Sequence, residues 1–151
     1  MFMISSEVRQ WLNQGQARIR ETVNAASDCR MSAAKTLLVP ALIKRIGSTR
    51  IWVFGSVARR EATENSDIDI FVECDGTVAQ LPWSKRQDAI SDLLKMVRKQ
   101  GFTWGCDIIV WSTEEVRLGT KISEPMIETI KKEGVLIYER PGKNTAVHSV
   151  V

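Results

Sequence analysis

The chain is poor in the residues that many enzyme classes depend on. It has a single histidine, His148, close to its C-terminal end. A catalytic centre built on histidine, as a nucleophile's base or a metal ligand, is therefore not expected. Its three cysteines, Cys29, Cys74 and Cys106, are odd in number and far apart. They lack the close pairing of a zinc site, so reduced structural thiols are expected. No apolar run approaches the length of a membrane-spanning helix. The opening Met-Phe-Met-Ile-Ser-Ser-Glu has neither a basic lead nor a long apolar stretch, so no secretory signal is expected and the cytoplasm is the default address.

The 151 residues are 44% hydrophobic and 26% charged, in the range of a globular domain rather than a disordered chain. The net charge of +3 comes from basic pairs such as Lys44-Arg45, Arg59-Arg60 and Lys131-Lys132 scattered along the chain. Anionic ligands suit this balance. Without a concentrated basic stripe, direct nucleic-acid binding is not expected.

Periodicity sets out the elements. Ser5 can cap a first helix with Val8, Leu12, Ile19 and Val23 on one face, weakened at Gly15. A second helix is expected from about Ser32 to Gly47, packing Leu38, Leu42, Ile43 and Ile46 into the core, with Pro40 as either a kink or a fresh first-turn residue. Arg50–Phe54 reads as a strand closed by Gly55, and Val57–Arg60 as a brief helix. After a polar loop, Asp67–Cys74 reads as a strand in which Ile68, Ile70 and Val72 alternate with Asp67, Asp69 and Phe71. Ile90, Leu93, Leu94 and Val97 define a helix over Ser84–Gln100, stopped at Gly101. Then come a strand over Trp104–Trp111, a helix over Ser123–Glu133 and a short strand over Val135–Tyr138. This order implies one mixed α/β layer system. The expected organisation is a single domain over 1–141, with a helical part at 1–47 and a catalytic core at 48–141, followed by a flexible tail at 142–151.

The chemistry concentrates between Gly55 and Asp69. A glycine after a strand lets the backbone approach a phosphate, and Ser56 with the neighbouring amides can donate hydrogen bonds to it. Asp67 and Asp69 are two apart on a strand, so their carboxylates share a face, a costly placement unless a cation lies near. Magnesium, which takes carboxylate, phosphate and water oxygens, suits them. A pair of such ions needs a further carboxylate, and Asp107 at the start of Cys106–Trp111 is the candidate, also as general base. The competing reading of each aspartate is a solvated acid on a strand or at its end. Arg59 and Arg60 can be read as a surface pair or as phosphate contacts. Trp83 reads as a packing residue at a helix start rather than a stacking platform.

The run Gly55-Ser56, ten residues, then Asp67-x-Asp69, with a later strand aspartate, resembles the DNA polymerase β-type nucleotidyltransferase superfamily. Gly-Ser-x-Ala-Arg before Ser-Asp-x-Asp is similar to the minimal nucleotidyltransferases, including the antitoxins that accompany HEPN-domain toxins. The resemblance covers about Leu37 to Glu139. It implies a polymerase β-like fold, a mixed β-sheet flanked by helices with N-terminal helices before it. It also implies an NTP, expected to be ATP, with a two-ion Mg2+ site on Asp67, Asp69 and Asp107, and Gly55 and Ser56 on the terminal phosphates. Arg59 would assist the triphosphate. Minimal members commonly carry glycine where this chain has Arg60, which could add a phosphate contact or narrow the cleft. Larger relatives add a domain that binds the acceptor, and none is visible here. A protein acceptor, such as a HEPN ribonuclease, is therefore the expected partner, with oligomerisation left open. The rival is a module that neutralises its partner by contact alone, with the acidic site inactive.

Overall fold

The computed structural model describes residues 4–142. The tail expected at 142–151 lies, apart from its first residue, outside the described residues. Helix α1 spans Ser6–Ala33 and passes through a π-helical segment, Ala34–Leu38, into α2, Val39–Ile46. The expected break near Ser32 does not occur: the chain runs as one helical rod to Ile46. Pro40 lacks the N–H that would bond the Thr36 carbonyl, and its ring would press on that carbonyl in a regular helix. The wider π turn, which includes Thr36, relieves the conflict and places Pro40 in the first turn of α2. Gly47, at φ 77°, ends the rod in the left-handed cap that glycine adopts without strain.

Four strands follow, β1 (Ser48–Phe54), β2 (Ile68–Cys74), β3 (Cys106–Ser112) and β4 (Val135–Glu139). Their order in the sheet is β3-β2-β1-β4. Strand β1 runs antiparallel to β2 and β4, whereas β2 and β3 run parallel. The helices between them are α3 (Gly55–Ala58), α4 (Trp83–Lys99), α5 (Thr113–Lys121) and α6 (Pro125–Glu133). The mixed sheet flanked by helices matches the expected fold class. Helix α5 is absent from the sequence expectation. Its signal was the capping box in which Ser112 accepts from the Glu115 N–H while the Glu115 carboxylate accepts from the Ser112 N–H. Strand β3 starts at Cys106 rather than Trp104, whose ring packs edge-on against Phe102.

The alternation along the strands makes two cores. On one face Ile51, Val53, Ile68, Ile70, Val72, Ile108 and Val110 meet Leu38, Leu42 and Ile46 from the rod and Ile90, Leu93 and Val97 from α4. On the other, Phe71 sits between Trp52 and Trp111, with Ile127 and Ile130 of α6 above it. The second core is small and stops short of the β2 and β3 N-terminal ends. Those ends carry Asp69 and Asp107.

The first half of α1 does not reach either core. Val8, Trp11, Leu12 and Ile19 remain exposed, Trp11 at 70%, so the apolar face read from the sequence exists but is not buried. The rod joins the body only from Ser27, Arg30 and Ala33 onward, which are buried. Among the described residues no helix is long and apolar enough to cross a membrane.

Candidate active site

Strand pairing builds the site. Residue 69 of β2 lies opposite residue 107 of β3 in the parallel ladder, and Phe54 lies opposite residue 69 across β1. Asp69 and Asp107 therefore stand side by side on one face of the sheet. Asp67, the residue before β2, has the same parity and continues that face. The Asp69 carboxyl is pushed above the usual carboxylate range, first by burial and then by the charges of Asp107 and Asp67, with Arg59 opposing. Asp67 and Asp107 thus both lie within electrostatic reach of Asp69. Among the described residues, however, no three acidic, histidine or cysteine side chains gather into a ready-formed metal cage.

Two glycines make room for these carboxylates. A Cβ on Gly55, which sits at φ 72°, would collide with the Asp69 carboxylate, and a Cβ on Gly105 would collide with that of Asp67. Gly55 was legible as a turn residue; Gly105 was not, because its role depends on Ile68 N–H donating to its carbonyl at 2.9 Å and so holding the two chains together. An all-oxygen donor set of carboxylates, kept open by glycines and with Asp69 destabilised as an anion, fits a hard divalent cation.

Beside the carboxylates, Gly55 and Ser56 open α3, directly after β1. The Ser56 carbonyl accepts from the Glu61 N–H at 2.8 Å, which folds the turn back on itself. Among the described residues the Ser56 hydroxyl makes no hydrogen bond, so it is available as a donor. A residue the sequence reading missed stands here. Glu133, at the end of α6, accepts from the Gly55 N–H at 3.1 Å and from the Arg59 guanidinium at 3.0 and 3.2 Å. Arg59 also binds Glu61 at 3.0 Å. Its partner Arg59 holds the Glu133 carboxyl below the usual range. Nothing in the local sequence links positions 55 and 133; the contact exists because β4 returns α6 to the side of β1.

Arg60 lies exposed on the surface, one of the readings its sequence left open. Its guanidinium turns away to Asp28 on α1, at 3.0 Å. Its backbone adopts φ 58°, the left-handed region that favours glycine, and this also ends α3 at Ala58 rather than at Arg60.

Trp83 also corrects its expectation. At 56% exposure it is not a packing residue. It lines a cleft of about 370 Å³ together with Phe54, Gln87, Ile109 and Met126, and Asp69 and Asp107 form the acidic part of the wall. Cys106, next to Asp107, has its thiol pushed up to about 12 by burial, reinforced by the Asp107 and Asp69 charges.

Fold and site together describe a small α/β domain with a glycine-serine turn placed against paired carboxylates. The profile of the nucleotidyltransferase domain family matches residues 37–137, and the chain belongs to that family. A protein of Methanocaldococcus jannaschii provisionally assigned as a protein adenylyltransferase is 38% identical over 74 residues, covering 49% of this chain and 70% of its own. A provisionally assigned nucleotidyltransferase of Sulfolobus solfataricus shares the fold, with a TM-score of 0.52 at 19% identity over 79% of this chain and 88% of its own. A toxin–antitoxin structure containing AMP-PNP aligns with a TM-score of 0.49 at 18% identity, over 77% of this chain and 81% of its own, a likeness too distant to carry an argument.

Proposed function

We propose that this nucleotidyltransferase transfers the nucleoside monophosphate of an NTP, ATP in the first instance, to a hydroxyl of a partner protein and releases pyrophosphate. The observation that carries the reading is the pairing of Asp69 with Asp107 across β2 and β3, in reach of Asp67 and beside the Gly55-Ser56 turn. Asp67, Asp69 and Asp107 would hold divalent cations, magnesium in the cell. Bound there, the ions supply charge neutralisation at the phosphates and a lower pKa for a coordinated hydroxyl.

The chain's own residues do the rest. The Ser56 hydroxyl and the amides of the turn bind the terminal phosphates, with Arg59 adding charge once Glu133 releases it. The acceptor oxygen forms a bond to the α-phosphorus as the α–β phosphoanhydride bond breaks, its electron pair leaving with pyrophosphate. Asp107, on the edge strand, takes the acceptor's proton. The cleft beside it carries Phe54, Trp83, Ile109 and Met126 and no basic residue, which supports an acceptor without phosphate groups.

A protein acceptor is supported by the name of the Methanocaldococcus relative and by the exposed apolar face of α1, a surface suited to a protein. The motif resemblance points to a HEPN ribonuclease encoded next to this chain, neutralised by nucleotidylation in the cytoplasm. The test is incubation with magnesium and each α-labelled NTP, with and without the neighbouring gene product. Label on the partner that disappears in an Asp67→Ala, Asp69→Ala variant is expected. Neutralisation of the partner by that variant, without transfer by the wild type, would instead establish action by contact alone.

A further inference from the structure

Asp69 and Asp67 are held by different means. Asp69 lies inside β2, between β1 and β3, with ladder bonds on both sides. Asp67 lies one residue outside the sheet, at the end of the loop that connects Arg60 to β2, and the sheet reaches it only through the Ile68 N–H on the Gly105 carbonyl. The loop supplies little support of its own: Ser66 Oγ accepts from the Thr63 N–H at 2.8 Å, and the Ser66 N–H returns to the Thr63 carbonyl at 3.1 Å.

The remaining anchors come from α1. Arg30 is only 7% exposed, yet among the described residues it pairs with no carboxylate. Its guanidinium bonds three backbone carbonyls, Ala26 in its own helix, Glu64 and Ser66, each at 3.1 Å. Ser27, also buried, accepts the Ala62 N–H at 3.0 Å. A buried cation without a counter-carboxylate is an expensive choice for packing alone. Here the planar fork spans two carbonyls of the loop, which the single ammonium of a lysine cannot reproduce. Asp67 is therefore clamped from both flanks, by Arg30 through Ser66 and by Gly105 through Ile68.

We infer that Arg30, assisted by Ser27, is a positioning residue that sets the Asp67 carboxylate for its cation. The inference rests on the proposed metal role of Asp67 and extends it: α1 is part of the site's support. Residues that orient a ligand without touching the metal change affinity by about tenfold or more when removed.

The experiment measures Mn2+ binding to the full chain by electron paramagnetic resonance, alongside the Mg2+ dependence of transfer. Arg30→Lys keeps the charge and loses the fork; Ser27→Ala removes one anchor at almost constant volume. Arg30→Lys should weaken Mn2+ binding and raise half-saturating Mg2+ by about tenfold, with the KM for NTP shifted far less and excess Mg2+ restoring part of the rate. Ser27→Ala should shift both in the same direction by a smaller factor, which keeps the test open if Arg30→Lys folds poorly. Normal metal binding in both variants, with Asp67→Ala abolishing it, would overturn the role of Arg30 while leaving Asp67 as a ligand. Normal metal binding in Asp67→Ala would overturn both the ligand role and the inference built on it.

Discussion

Replacing Asp69 with asparagine should make the metal-free protein more stable and the enzyme inactive. In the folded chain Asp69 is half-buried and faces Asp107 on the neighbouring strand, with Asp67 two residues away. Adjacent strands are about 5 Å apart. Two charges at that distance repel by about 1 kcal/mol in water and by more as the dielectric falls. Solvent still reaches these groups, so the lower figure applies, and Asp69→Asn should gain about 1 kcal/mol. For a chain of this size that is a rise in Tm of about 3 °C, read by thermal denaturation in chelator. The pH dependence has a defined sign. A carboxyl raised in the folded state holds its proton there at pH values where the unfolded chain has released it, so this group's contribution falls as pH rises from the ordinary aspartate range through the raised one. In Asp69→Asn that component should vanish. Magnesium should reverse the order, raising the Tm of the wild type and not of the variant. An unchanged or lower Tm for Asp69→Asn in chelator would refute the claim that the site is strained by its own charge.

Gly105→Ala should place a methyl group against the Asp67 carboxylate, and a loss of transfer of about tenfold or more with a much smaller change in Tm would show that the glycine serves the site. Arg60→Gly removes left-handed strain of about 1 kcal/mol but adds unfolded-state entropy of somewhat less and loses the exposed pair with Asp28, so chemical denaturation should show a change within about 0.5 kcal/mol of zero. Alkylation at neutral pH followed by mass spectrometry should label exposed Cys29 first and leave Cys106, whose thiol is pushed up to about 12, unmodified while the chain is folded.

Much of this protein was readable before folding was considered. The strands around Gly55-Ser56 and Asp67-Ile68-Asp69, the helix over Ile90–Val97 and the stops at Gly47 and Gly101 follow from short-range chemistry: alternation, helical spacing and glycine's access to positive φ. The same logic located Asp69 and, as the start of the next strand, Asp107. Pro40 was legible as a disturbance but not as a π turn, because the outcome depended on whether the core would hold the two helical segments in line. Helix α5 had a capping box in plain sight at Ser112 and Glu115, which apolar periodicity alone did not bring out.

What the tertiary structure alone decided are contacts between residues far apart in sequence. Glu133 meets Gly55 and Arg59 because α6 and β4 fold back along β1. Trp83 faces the acids rather than the core because α4 begins beside the edge strand. Arg30 reaches Glu64 and Ser66 because the helical rod crosses the loop there. Local sequence carries backbone preference and face, since these depend on neighbours along the chain. The partners that hold Asp67 in place depend on how separate elements pack, and packing is a property of the whole chain.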